Sequence, residues 1–380
     1  MINNKFAFPI GYHKFHSKQL YNFQLNRFYS SGYAQFKEME EAGNNIFSYE
    51  DWKTEMLRLA NLALSENRIM NAAIYFRAAE FYTTIEDIEK EVFYERFISL
   101  FYKAFREDNI QKYDIPYNGS FLSAIRIVPV SRKKGTILLH GGMDSFIEEF
   151  YLMMKYLANK GYEVIGFDGP GQGASLIDGG LALEIEWENP VSAILDFFDF
   201  NDVTLIGLSV GGWLCLRAAA FEPRIKRVIA SGHTIHYMDI PPPPVEWIFK
   251  FFMRFENTFN RSAFKKMNMN PRMKWEIGQA MRITKSETPL EAAQKVNLAL
   301  SRDNMHAEKI KQDVLFISGK EDHFIPIKLH KKQVQALANA KSVTDRIFTK
   351  EDHAQNHCQY GNIGLALDTM VKWIEEKSIF

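Results

Sequence analysis

The run Val203-Thr204-Leu205-Ile206-Gly207-Leu208-Ser209-Val210-Gly211-Gly212-Trp213-Leu214-Cys215-Leu216 decides the fold. Its first four residues suit a buried strand, and its last four open an apolar segment of helical length. Between them Gly207, Ser209 and Gly211 fit G-x-S-x-G, the pattern of a strand that turns straight into a helix. Such a turn forces its central residue into strained backbone geometry, and glycines two positions away remove side chains that would clash. The serine hydroxyl then projects above the sheet. The Val210 N–H, at the helix N-terminus, is placed to stabilise an oxyanion. A glycine–serine loop without chemistry is the bland alternative, and the strand before it and helix after it argue against that. Ser209 is the candidate nucleophile.

Working outward, strands and helices alternate on both sides of this run. Strands are expected over 123–128, 136–140, 163–168, 227–231, 314–318 and 343–348, and helices over 146–160, 191–198, 211–221 and 364–376. That alternation implies an α/β chain: a mostly parallel sheet with helices on both faces. The stretch before it reads as helical, with apolar residues at three- and four-residue spacing over 51–64, 69–82 and 88–105. Pro116, Asn118 and Gly119 mark a turn after which strands begin. The organisation is thus a helical N-terminal cap domain (1–114) and a catalytic domain (115–380), with a helical lid insertion at about 238–306 where the alternation stops. The insertion opens on four prolines, Pro241 to Pro244. The run 245–255 that follows is apolar around most of a helix, so Trp247 and Phe251 are expected to roof the nucleophile and contact substrate.

His140-Gly141-Gly142-Met143 follows the strand 136–140, and the backbone N–H of Gly142 or Met143 is the expected second oxyanion donor. His140 reads as structural. Ser145 and Glu148 read as a capping box for the next helix. Gly169-Pro170-Gly171-Gln172-Gly173 could pass for a dinucleotide loop, but Pro170 interrupts it and no helix is expected after it to cap a pyrophosphate. It reads instead as a turn beside the active site. After the strand 314–318, Asp322 is the expected acid, with Glu321 as rival. His353 and His357 compete for the base, and His357, nearer the last helix, is preferred. A neutral imidazole must take the proton, so activity is expected to rise through a pKa between roughly 6 and 7.5.

Lys+Arg and Asp+Glu are both 46, so net charge gives no reason to expect nucleic acid or an anionic membrane as partner. The two cysteines cannot build a disulfide framework and fit a reduced, cytoplasmic setting. Residues 1–10 lack an apolar h-region, so no secretory signal is expected, and no apolar run approaches the ~18 residues of a membrane span. No pattern calls for a metal or cofactor. The expected partner is a small-molecule or acyl substrate, and the N-terminal helices offer either a wall for the pocket or a homodimer face.

From about Gly135 to Trp373 the chain resembles the α/β-hydrolase superfamily. The helical N-terminal region, the loop His140 to Asp144, the turn Gly207 to Gly212 and the ending His357-Cys358-Gln359 together resemble one branch of it. That branch includes 2,6-dihydroxypseudooxynicotine hydrolase and fungal hydrolases that shorten polyketide chains. The resemblance implies an α/β-hydrolase fold and cleavage of an ester or a ketone-adjacent C–C bond through a Ser-Asp-His triad, with the histidine before Cys358 as base. Gly-x-Ser-x-Gly-Gly also resembles acylaminoacyl and prolyl-oligopeptidase-type peptidases, which usually carry a β-propeller where this chain has helices. A fold relative that binds without catalysis is a third alternative, against which the full set of Ser209, Asp322 and His357 argues.

Overall fold

In the computed structural model, which describes residues 6–378, five helices precede the first strand. They are α1 (Gln19–Ser30), α2 (Phe36–Asn45), α3 (Tyr49–Ser65), α4 (Ile69–Tyr82) and α5 (Glu89–Ala104). α3 begins where the Ser48 side chain accepts from the Asp51 N–H, with Glu50 and Asp51 at the positive end of the helix. α1 and α4 are buried on nearly every side.

The sheet begins earlier than the sequence suggests. β1 (Gln111–Tyr117) and β2 (Ser120–Ile127) form a hairpin whose turn is only Asn118 and Gly119, at φ 46° and 74°. Both residue types tolerate the left-handed conformation that a two-residue hairpin requires. Pro116 sits inside β1, which it can do because β1 is the outermost strand. The boundary expected at 114 therefore falls within a strand.

Beyond the hairpin the elements alternate: β3 (Gly135–His140), α6 (Tyr151–Asn159), β4 (Tyr162–Asp168), α7 (Gly173–Ile177), α8 (Glu188–Phe198), β5 (Val203–Leu208), α9 (Val210–Phe221) and β6 (Ile225–Ser231). The insertion supplies α10 (Val245–Phe252), α11 (Glu256–Met269), α12 (Pro271–Thr284), α13 (Pro289–Ala293) and α14 (Arg302–Met305). Then come β7 (Asp313–Gly319), α15 (His330–Ala336), β8 (Ser342–Phe348) and α16 (Ile363–Lys377). The eight strands run in the order β1-β2-β4-β3-β5-β6-β7-β8. β2 is antiparallel to both its neighbours, and the remaining pairs are parallel.

Alternate residues of each central strand feed two cores. Ile137, Leu139, Val164 and Ile206 face one way and share a core with α1 to α6 and α16. Leu138, Ile165, Leu205 and Val228 face the other way, toward α8, α9 and part of the insertion. Strands buried on both faces need apolar residues at every position, which is why β5 reads as a continuous apolar run.

A buried ionic cluster ties the N-terminal helices to the turn after β3. Glu149 takes Arg27 at 2.5 Å and Arg77 at 2.8 Å, while Glu80 takes Lys90 at 2.7 Å, Arg282 at 3.2 Å and Arg77. Burial alone would raise the Glu80 carboxyl. Lys90, Arg77 and Arg282 overcome it and hold the pKa down at about 2.

Candidate active site

Ser209 stands between β5 and α9 at φ 59° and ψ −129°, conformational space that a side chain enters only under constraint. Its N–H donates to the Ser231 carbonyl at 2.8 Å, which pins the turn to the end of β6. The flanking glycines are steric necessities. A Cβ on Gly207 would lie 2.0 Å from the Gly211 carbonyl oxygen, and one on Gly211 would lie 2.4 Å from the Gly141 carbonyl oxygen.

His357 follows β8 on the short turn His357–Gln359 and is buried beside Ser209. The Ser209 Oγ–H donates to His357 Nε2 at 2.9 Å, and His357 Nδ1–H donates to Asp322 Oδ2 at 2.7 Å. Asp322, past the end of β7, accepts with Oδ1 from the N–H groups of Phe324 and Ile325, at 2.8 and 2.9 Å. The carboxylate is thereby fixed before it meets the histidine. Burial lowers the basicity of His357, but Asp322 overrides that effect and holds its pKa well above the ordinary histidine value. The acid limb is therefore expected above the pKa of an unperturbed imidazole.

The two competing pairs separate cleanly. His353 is exposed at φ 56°, and Glu321 is exposed and paired with Lys350 at 3.0 Å.

On the other side of Ser209, Gly142 lies so close that a Cβ there would be 2.9 Å from Ser209 Cβ and 3.2 Å from the Val210 nitrogen. The loop carrying Gly142 and Met143 is held by a residue the sequence reading treated as part of a turn. Gln172, 2% exposed, donates through Nε2 to both the Gly141 and Gly142 carbonyls at 2.9 Å, and its Oε1 accepts from Gly169 N–H at 3.0 Å. With those carbonyls engaged, the loop is locked against the serine. The sequence marks it only as a glutamine two residues after a proline in a glycine-rich turn, which does not reveal its partners. His140 is structural, as expected. Trp187 Nε1–H donates to its Nε2 at 3.2 Å, so its proton sits on Nδ1 and is given to the Gly141 carbonyl at 3.1 Å. Burial lowers its pKa to about 4, so it stays neutral.

Three expectations need correction. A short helix, α7, does follow the glycine-rich turn, but the Asp168 carboxylate occupies its N-terminus. Asp168 accepts from Ala174 N–H at 3.2 Å and fills the space beside Gly173, leaving no room for a phosphate. The Ser145–Glu148 capping box does not form. Glu149 reaches back to the Phe146 N–H at 3.1 Å, and Ser145 bonds the Gly142 carbonyl at 3.3 Å. Trp247 and Phe251 do not touch the site. They are 68% and 47% exposed, because α10 packs its opposite face, Phe249 and Phe252, on Met253, Phe259 and Leu290.

The cavity over Ser209 is about 420 Å³ and is walled instead by α1, α4 and α12. Phe23, Phe81, Trp275, Phe324 and Tyr360 supply aromatic surface, and Arg27, Gln24, Asp144 and Gln279 supply polar groups. Val210, Gly142, Met143, Ser209 and His357 line the same space.

A mostly parallel sheet with one reversed strand, and a serine after a central strand facing a histidine and an aspartate, define an α/β-hydrolase. The chain belongs to the family described as serine aminopeptidase, S33, which it matches over residues 131–353. It is similar to Hydrolase LUC6 of a Fusarium species, 30% identical over 67% of this chain and 66% of that one. It is also similar to 20-hydroxy-prefusarin hydrolase FUS2 of Gibberella moniliformis, 28% identical over 82% of this chain and 84% of that one. Among solved structures, 2,6-dihydroxy-pseudo-oxynicotine hydrolase superposes with a TM-score of 0.64 at 19% identity, over 92% of this chain and 94% of that one. AbyA5 superposes at 0.63 and 17%, over 86% and 85%. At such identities the structural likeness speaks for the fold, helical N-terminal region included.

Proposed function

We propose that this enzyme is a serine hydrolase that cleaves an ester or a ketone-adjacent C–C bond in a small, largely apolar molecule. One observation carries the reading: His357 bridges Ser209 and Asp322 at 2.9 and 2.7 Å beside a cavity walled mostly by aromatic and aliphatic side chains. In this scheme His357 Nε2 takes the Ser209 proton as Oγ attacks the substrate carbonyl carbon. The oxyanion is received by the Val210 N–H and that of Gly142 or Met143. Asp322 keeps the His357 proton on Nδ1 and stabilises the imidazolium. Collapse breaks the bond to the leaving group, an alkoxide or a carbanion, which His357 protonates. Water, activated by the same histidine, then releases the acid and restores Ser209.

The similarity to hydrolases such as 20-hydroxy-prefusarin hydrolase supports a small-molecule substrate. The family description favours a second reading, a peptidase acting at N-terminal residues. The test has two arms. Ser209 should react with a fluorophosphonate and Ser209→Ala should not; labelling that survives the substitution would overturn the nucleophile. A panel of aryl esters, β-diketones and acyl-aminoacyl anilides then separates the readings. Turnover confined to the anilides would replace the small-molecule hydrolase by the peptidase.

A further inference from the structure

The insertion leaves a face of the molecule that the chemistry at Ser209 does not use. On α10 and the turn after it, Trp247, Ile248, Phe251 and Phe255 are 68%, 52%, 47% and 51% exposed. Their spacing places them in one stripe, and the rings are continuous: Trp247 stacks on Phe251 at 5.7 Å, and Phe251 meets Phe255 at 5.4 Å. The stripe does not belong to the fold's own interior, since the other side of the helix already packs on Met253, Phe259 and Leu290. Three exposed aromatic rings in contact, with Ile248 exposed on the same helix, mark an interaction site rather than scattered exposure.

Charge identifies the partner. Across the whole chain Lys+Arg equals Asp+Glu, yet residues 245–270 hold five Lys and Arg against two acidic residues, Glu246 and Glu256, of which Glu246 pairs with Lys250 at 2.6 Å. Lys250 lies on α10 beside the aromatic stripe, Arg254 on the turn after it, and Arg261, Lys265 and Lys266 follow on α11. An aromatic stripe edged by cations is the pattern of a helix that lies in the plane of a membrane surface. A second copy of the chain fits poorly, because a two-fold contact would set this cationic face against itself. We propose that the α10–α11 face docks on an anionic lipid surface, with Trp247, Phe251 and Phe255 entering the headgroup boundary. The segment just before α10 and the helix α12 both line the catalytic cavity, through Tyr237, Ile240 and Trp275. Docking would therefore bring the cavity close to a phase in which apolar molecules concentrate. The inference stands on the surface alone and does not depend on which bond Ser209 cleaves.

The test is co-sedimentation of the full chain with vesicles of phosphatidylcholine alone and of phosphatidylcholine with phosphatidylserine. The expected result is binding to the mixed vesicles only, weakened by salt, with a blue shift of tryptophan emission. Each Lys or Arg near such a surface supports roughly five-fold tighter partition. The pair Lys265→Glu and Lys266→Glu should therefore lower it by more than ten-fold. The pair Trp247→Ser and Phe251→Ser should abolish it. Circular dichroism and the thermal midpoint check that both proteins fold, which these exposed positions favour. Absence of binding by the unaltered chain, or equal binding by both variants, overturns the proposal. So does a concentration-dependent dimer, or RNA binding, that is lost in the same two variants while vesicles are ignored.

Discussion

Replacing Asp322 by asparagine isolates the part of the site that depends on one proton. The new carboxamide would keep an oxygen for the Phe324 and Ile325 amides, the contacts that hold this loop at 2.8 and 2.9 Å, so the fold should survive. Its NH₂ group would face His357 Nδ1, which would then accept a hydrogen bond where it now donates one across 2.7 Å. The imidazole must then carry its proton on Nε2, where it meets Ser209 Oγ and cannot accept. Loss of the correct tautomer in such a triad costs about four orders of magnitude in kcat, or about 5 kcal/mol of barrier. The pH profile supplies a second reading. In the intact protein the Asp322 carboxylate raises His357 well above its ordinary value, so the neutral base is gained only at higher pH. Without that charge, burial is left to lower it, and the acid limb should move down. The assay is kcat/KM for one activated aryl ester from acid to mildly alkaline pH. A loss smaller than ten-fold, or an acid limb that does not move down, would refute the assignment, and Glu321→Gln as control should stay near the parent.

Further outcomes follow from the same geometry. His357→Ala should lose nearly all turnover of that ester, while His353→Ala, altering an exposed side chain, should retain most of it. Gln172→Leu removes the donor to two buried carbonyls and should cost about 1–3 kcal/mol in a denaturant melt as well as lowering kcat by ten-fold or more. Trp275→Ala should raise KM for bulky aryl esters relative to acetate esters, with an unchanged ratio counting against the cavity as the acyl site. Glu80 has a folded pKa of about 2, below its ordinary 4.5, so its stabilisation is present above about pH 4.5 and is lost as pH falls through 2. Glu80→Gln leaves Lys90 buried without its carboxylate, and Arg77 with Glu149 alone, and should lower stability by about 3–5 kcal/mol at neutral pH, read as a fall in unfolding midpoint.

The catalytic half of the fold was legible because its signals are local. Strand β5, the glycines around Ser209 and the acid after β7 each announce themselves within a few residues. The histidine was chosen by its nearness to α16, and the structure brings that one, not its neighbour, to the serine. The cavity walls were legible only in outline: the N-terminal helices were expected as a wall or a dimer face, but the helix that contributes most of that wall, α1, was not read as one. α1 supplies Phe23, Gln24 and Arg27 to the cavity, but nine of its twelve residues are buried, the polar Asn22, Gln24, Asn26 and Arg27 among them, so its polar and apolar positions show no one-sided period. The opposite error was made at α10, whose all-round apolar sequence suggested burial although its outer face meets solvent. Composition cannot separate a helix enclosed by protein from one awaiting a partner. Gln172 was hidden because its role is defined by carbonyls some thirty positions away, at Gly141 and Gly142.

The cavity also has a place in time. The Phe23 ring lies 6.0 Å from that of His357 and 5.7 Å from that of Tyr360, and Gly11 N–H bonds the Gly361 carbonyl at 2.7 Å. Residues made early in synthesis thus wait for residues made late before the pocket can close. A ribosome-bound chain that ends short of His357 can build most of the sheet yet owns neither the base nor the surface on which α1 settles. During that interval Phe23 and the aromatic side chains beside it have no finished seat. Hydrolytic competence should therefore arrive abruptly as α16 emerges, and stalled chains should be bound by chaperones through the segment that holds α1.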